Sequence, residues 1–275
     1  CGRSVLGSTT GVDAIYEAAK DESVKAIVMR VDSPGGSALA SDLIWRATQR
    51  TEKPVIVSMG DVAASGGYYI SMGADRILAE PGTVTGSIGV VGGKFDMGGL
   101  YEKIGLSTET ISRGDNSGIF STLDKFNDSE RDVLERIMNE IYDIFTSKAS
   151  RGRGMDLEAL KKLAGGKVYT GRVAKRLGLI DEVGTLADAV SHAKTMGGIG
   201  AEEEVRIKVY PEPENPFEAL FGGDMDQQRE ARVAVSAAVA TLAPEITPAL
   251  RRAWHMKQLV HEPAALWMPF LLEIK

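Results

Sequence analysis

Ser65 stands in Ala63-Ala64-Ser65-Gly66-Gly67, directly after a dense apolar run. A serine at the start of a helix, entered by a tight turn and followed by two glycines, suits a nucleophile. Glycine pairs let backbone N–H groups approach a ligand without interference from a Cβ. A second glycine loop, Asp32-Ser33-Pro34-Gly35-Gly36, follows another apolar run. The N–H of Gly66 and one from Gly35-Gly36 are suited to stabilise an oxyanion together. The plainer alternative is an ordinary helix N-cap and two glycine turns.

A nucleophilic serine needs a base. The chain has three histidines, His192, His255 and His261, and none is beside a glycine loop. Position 63 is alanine, so there is no Gly-x-Ser-x-Gly elbow. Lysine remains, and a lysine base must be kept neutral by burial or by cationic neighbours. Lys25, Lys53, Lys94, Lys103 and Lys125 are available, but each reads as a solvated helix or strand end. Asp32 and Asp61 read as turn caps, Glu202 to Glu204 as a solvated run, and Trp45, Trp254 and Trp267 as packing residues. With no GxGxxG, P-loop or HExxH pattern and one Cys, the 275 residues imply no cofactor, metal or disulfide framework. A formal net charge of −6 argues against a nucleic-acid partner.

The elements that must position these residues are legible in outline. Val24–Val31 and Val55–Met59 read as buried strands, each ending in a glycine loop. Ser37 caps a helix to about Arg50, and a short helix runs through Tyr68 to Met72. Arg76–Ala79, Ser87–Val91 and Leu106–Ser112 read as strands, and Asp96–Ile104 as a helix. A long helix begins at Ser129, with Glu130 and Asp132 favourably placed in its first turn, and runs to about Arg151. Helices follow at Asp156–Leu163, Gly171–Leu177 and Leu186–Met196. Strands alternating with helices indicate a layered α/β domain over residues 1–197. Residues 198–275 read as an extension: weakly alternating Val205–Tyr210, a Pro-rich linker, a helix at about Gln228–Leu242 and an apolar end.

Three segments carry a resemblance: VKAIVMRVDSPGGSALAS, KPVIVSMGDVAASGGYYISMGADRILAEPGTVTGSIGV and GGKVYTGRVAKRLGLIDEVGTLADAV. Together they resemble the bacterial signal peptide peptidase A family of serine proteases, over about residues 10–215. The resemblance implies a Clp protease/crotonase-like α/β fold and a bowl-shaped, membrane-associated homo-oligomer. It implies a Ser-Lys dyad that cleaves remnant signal peptides, and a catalytic domain on the extracytoplasmic side of the bacterial inner membrane. By motif, Ser65 is the nucleophile, Gly66 and Gly36 the oxyanion donors, and Ser87 the serine that orients the lysine. The lysine itself is absent. Arg113 to Gly118 is the corresponding segment, with Asn116 where the family has Tyr and Ser117 where it has Lys.

Tandem-domain members of the family divide serine and lysine between two halves. The chain resembles the carboxyl-terminal, serine-bearing half, with its first strand missing before Gly11 and a lysine-bearing domain upstream. An amino terminus at Cys1 rather than Met agrees with a piece of a longer protein, against the alternative of a mature lipoprotein start. Two other readings of the whole stay open: a non-catalytic structural half, and a crotonase-like acyl-CoA enzyme.

Overall fold

The computed structural model describes residues 6–200 and 202–211, together with the backbone of 265–267. In chain order the first half comprises α1 (Ser8–Lys20), β1 (Ile27–Ser33), β2 (Gly35–Ser37), α2 (Ala38–Arg50), β3 (Val55–Ala64), α3 (Gly66–Ser71), β4 (Arg76–Ala79), β5 (Val84–Gly86) and α4 (Gly98–Lys103). The second comprises α5 (Asp128–Arg153), α6 (Leu157–Leu163), β6 (Val168–Thr170), α7 (Gly171–Arg176), β7 (Glu182–Val183), α8 (Leu186–Met196) and β8 (Ala265–Trp267).

β3 organises the sheet. It is buried at every position but Asp61, the mark of a strand covered on both faces. β1 runs parallel along one edge, from Ile27 opposite Val55 to Ser33 opposite Ala63. The other edge is shared. β4 takes Ile56 to Met59 and β5 takes Val62 to Ala64, both in parallel. Where the partner changes, the Thr83 hydroxyl donates to the Gly60 carbonyl at 2.8 Å. β6 closes on β5 in antiparallel fashion, and β7 extends the sheet from β4.

Alternate residues of β3 enter two different cores, as the twofold strand period requires. Val55, Val57 and Met59 meet Tyr68, Phe145, Leu160 and Ala174, from α3, α5, α6 and α7. Ile56 points the other way, with Leu78, onto Ala189 and Ala193 of α8. The fold is the layered α/β class expected. Ser37 caps α2 by accepting from Ala40 N–H. α5 starts in a capping box between Asn127 and Glu130 and ends at Gly154 in the left-handed conformation.

Besides the short strands β2, β6, β7 and β8, which the sequence reading did not include, four readings change. The strand expected at Ser87–Val91 lies earlier, at Val84–Gly86, because Gly86 (φ 82°) and Ser87 (φ 51°) break the extended run. Leu106–Ser112 is not a strand; every residue in it is exposed, Ile111 at 94 %, so no face is available to bury. Val205–Tyr210 forms no strand either. Lys208 and Tyr210 instead hold the Asp21 carboxylate, at 2.5 and 2.9 Å. The fourth change is an addition, α1, whose buried Gly11, Ala14, Ile15 and Ala18 follow the helical spacing. The helix expected at Gln228–Leu242 lies outside the described residues. Among the described residues no helix is long and apolar enough to cross a membrane.

Candidate active site

Ser65 is the hinge between β3 and α3. Its backbone sits at φ 54°, ψ −115°, outside the regions a side chain favours. Two hydrogen bonds hold it there: its N–H donates to the Gly86 carbonyl, and its own carbonyl accepts from Tyr69 N–H, both at 2.8 Å. The residue is 0 % exposed, yet its Oγ has no hydrogen-bond partner. Ser87 repeats the pattern one strand away. It is 0 % exposed at φ 51°, its N–H donates to the Lys167 carbonyl at 2.7 Å, and its Oγ is likewise without a partner. Ala64 pairs with Gly86, so the two serines are the next residues on adjacent parallel strands. Buried polar atoms are rarely left unpaired in native folds, and where they are, chemistry is a common reason.

The second glycine loop packs directly on this hinge. A Cβ on Gly66 would stand 3.2 Å from Gly36 N and 2.6 Å from Ser41 Oγ. A Cβ on Gly67 would stand 2.5 Å from the Ser33 carbonyl oxygen. Only glycine permits that approach, and it brings Gly36 and Gly66, the two expected oxyanion donors, together. The outer edge of the loop holds an extended strand: β8 pairs antiparallel with β2, Leu266 opposite Gly36.

The lysines lie elsewhere. Lys94 is not a solvated strand end; its side chain is 5 % exposed, its ammonium donates to the Gly118 carbonyl at 3.0 Å, and it sits 3.5 Å from the Glu130 carboxylate and 4.4 Å from the centre of the Phe126 ring. Lys53 donates to the carbonyls of Ala18 and Asp21, and Lys25 to that of Glu22. Lys103 and Lys125 are exposed. Ser117, where the resemblance leads one to expect a lysine, donates to the Gly114 carbonyl at 2.7 Å. His192 pairs with Glu182 at 3.0 Å, on the β7 side of the sheet. Asp32 accepts from Val62 N–H, tying β1 to β3, as a turn cap should.

Sequence reasoning passed over one polar cluster behind the hinge. Asp42 of α2 accepts from the Tyr69 hydroxyl of α3 at 2.7 Å, and it pairs with Lys148 of α5 and with Arg46. Its members come from three separated elements, so no local motif announces them.

The sequence has relatives. Residues 47–199, which contain Ser65 and Ser87, match the profile of Peptidase family S49. The chloroplastic serine protease SPPA of Arabidopsis thaliana is 40 % identical over 215 residues, covering 77 % of this chain and 32 % of that protein. Protease 4 of Haemophilus influenzae is 41 % identical over 199 residues, covering 69 % of this chain and 31 % of that protein. The chain thus spans less than a third of the length of either. A Synechocystis protein named as a protease is 34 % identical over 232 residues, and there the match covers 84 % of this chain and 83 % of the relative. A profile that covers more than half of the chain and runs through Ser65 and Ser87, and a relative matched over most of its length, make the chain a member of peptidase family S49.

Proposed function

We propose that Ser65 is the nucleophile of a serine peptidase whose general base is a lysine from an upstream domain or a neighbouring subunit. One observation carries this reading: a buried serine at positive φ, its Oγ unpartnered, on the strand end beside an equally unpartnered Ser87. In the reaction, Ser65 Oγ attacks the peptide carbonyl as its proton passes to the neutral lysine amine. The N–H groups of Gly66 and Gly36 hold the oxygen that becomes negative. The tetrahedral intermediate collapses, and the leaving amine takes the proton from lysine. Water, deprotonated by the same amine, then attacks the Ser65 ester, and the second collapse releases the acid and restores the serine hydroxyl. Ser87 Oγ accepts a hydrogen bond from the lysine and fixes its direction. Closing the site lowers the affinity of the amine for its proton, because burial disfavours the ammonium form.

An extended peptide would pair with Gly35–Ser37 in place of residues 265–267, which hold that edge in antiparallel register in the structure. The family resemblance supports apolar remnant signal peptides as the substrate class. It also favours a setting, a homo-oligomer at the bacterial cytoplasmic membrane with its catalytic side outside. In this reading residues 1–197 form the peptidase domain and 198–275 its extension.

The test is fluorophosphonate labelling, with the adduct mapped by mass spectrometry, on the chain alone and together with its upstream domain. An adduct on Ser65 that requires the upstream domain supports the reading in full. An adduct on the chain alone keeps the nucleophile and moves the base into the chain or its homo-oligomer. A folded chain that stays unlabelled in both settings overturns it and leaves a non-catalytic structural half.

A further inference from the structure

Resting on the reading of Ser65 as nucleophile, we propose that Asp42, Tyr69 and Lys148 are positioning residues that lock the nucleophile helix to the oxyanion loop. The argument begins with α2, which grows directly out of that loop: Gly35-Gly36-Ser37 is β2, and Ser37 caps the helix. Two successive α2 residues then meet α3. Ser41 Oγ lies 2.6 Å from where a Cβ on Gly66 would stand, and Asp42 accepts from the Tyr69 hydroxyl at 2.7 Å. Gly66 and Tyr69 are three residues apart, on one face of α3. The same face therefore carries the residue after the nucleophile and the phenol that reaches α2. Tyr69 also donates its N–H to the Ser65 carbonyl, so one residue touches both the nucleophile's backbone and the anchor.

Asp42 is held in turn from a third element. Lys148 of α5 pairs with it while lying 4.1 Å from the centre of the Trp45 ring, and Arg46 holds its other oxygen at 2.7 Å. Tyr69 is packed between Trp45, edge-on at 6.3 Å, and Phe145 of α5 at 4.7 Å. None of these groups is hydrogen-bonded to the Ser65 hydroxyl. Their effect is geometric. The N–H of Gly36 travels with α2, and the N–H of Gly66 with α3, so the two halves of the oxyanion site stay in register only while α2 and α3 do. A misplacement of about 1 Å at such a site costs on the order of 10²-fold in rate.

The experiment uses the complete, lysine-supplied enzyme with Tyr69→Phe, Asp42→Asn and Lys148→Met, reading kcat and KM per labelled Ser65. Hydrogen–deuterium exchange at residues 35–37 and 66–69 is the second readout and does not depend on turnover. The expected result is a kcat lowered by about tenfold or more, with KM changed less than about twofold, in line with that positional sensitivity. Faster exchange should appear at both segments together. Asp42→Asn should be milder than Asp42→Ala, since the amide oxygen still accepts from Tyr69. Tyr69→Phe with wild-type kcat overturns the proposal, and so does exchange that stays unchanged at both segments. A loss that disappears once activity is normalised to labelled Ser65 also overturns it, because the cluster is then only structural. If the wild-type enzyme neither labels nor turns over, the nucleophile reading fails, and the exchange result still decides whether the lock exists.

Discussion

Ser65 and Ser87 hold φ angles of 54° and 51°. Such a conformation costs a side-chain-bearing residue about 1–3 kcal/mol, and it persists where the surrounding structure enforces it. Ser65→Ala keeps that backbone and removes only the hydroxyl. It should abolish peptide cleavage, by about 10³-fold or more, with a melting temperature close to wild type. Turnover near wild type in that variant would remove Ser65 from the mechanism. Ser87→Gly separates strain from chemistry. Glycine relieves the backbone, and this relief matches or exceeds its entropic cost of about 0.5–1 kcal/mol. The variant should therefore melt no lower than wild type while losing about 10²-fold in kcat/KM, measurable by calorimetry and peptide hydrolysis on one sample. Gly67→Ala works in the opposite sense. Its Cβ would stand 2.5 Å from the Ser33 carbonyl oxygen, and the overpacking should cost about 1–3 kcal/mol in denaturant titration.

Between elements, the pair of Lys94 and Glu130 ties the chain after β5 to the start of α5. The two side chains are 5 % and 6 % exposed, and the Glu130 carboxylate also accepts from Asn127 N–H in the capping box. Removing one member of a buried pair strands the other charge, at about 3–5 kcal/mol. Lys94→Met should lower the melting temperature by roughly 10 °C at this domain size. Adding Glu130→Gln should recover part of that loss, because glutamine keeps the capping bond without the charge. Lys94 also shows why some of the molecule was hidden in the sequence. Its partner is 36 positions away, so local context reads it as solvated. β6 and β7, three and two residues long, carry no periodicity to read. Ile88 and Val90 continue the alternation of a strand, and the positive φ angles at Gly86 and Ser87 end it. The candidate site was more legible. Ser65, Gly66, Gly36 and Ser87 sit in contiguous motifs, whereas Asp42, Tyr69 and Lys148 meet only once three helices are packed.

Over the whole molecule, several carboxylates share an electrostatic bias. Burial pushes the Asp42 carboxyl up, but hydrogen bonds from Lys148 and Tyr69 outweigh it and hold the group below its ordinary 3.8. Arg76 does the same for Glu182, below 4.5, and the Thr185 N–H for Asp188. The folded state thus binds fewer protons than the unfolded chain in this range, so stability falls as pH drops through and below these values. Melting temperature should hold steady above about pH 5 and decline below about pH 4, with a shallower decline in Glu182→Gln; a flat profile in wild type would contradict this. Asp21 is also held below its ordinary value, first by Lys208, and so fastens residues 205–210 to the end of α1. Asp21→Asn should make that segment cut faster in limited proteolysis while the sheet stays protected.

The sheet also sets an order of events. Ser87 N–H is held by the Lys167 carbonyl, and Gly86 pairs with Val168. Non-local strand pairing forms slowly, and synthesis delivers the chain from its amino end. Residues 65 and 87 therefore leave the ribosome while the strand that completes their surroundings has yet to be made. Ser65 is translated early and finished late, and a nascent chain carries it unassembled until residues 167 and 168 arrive.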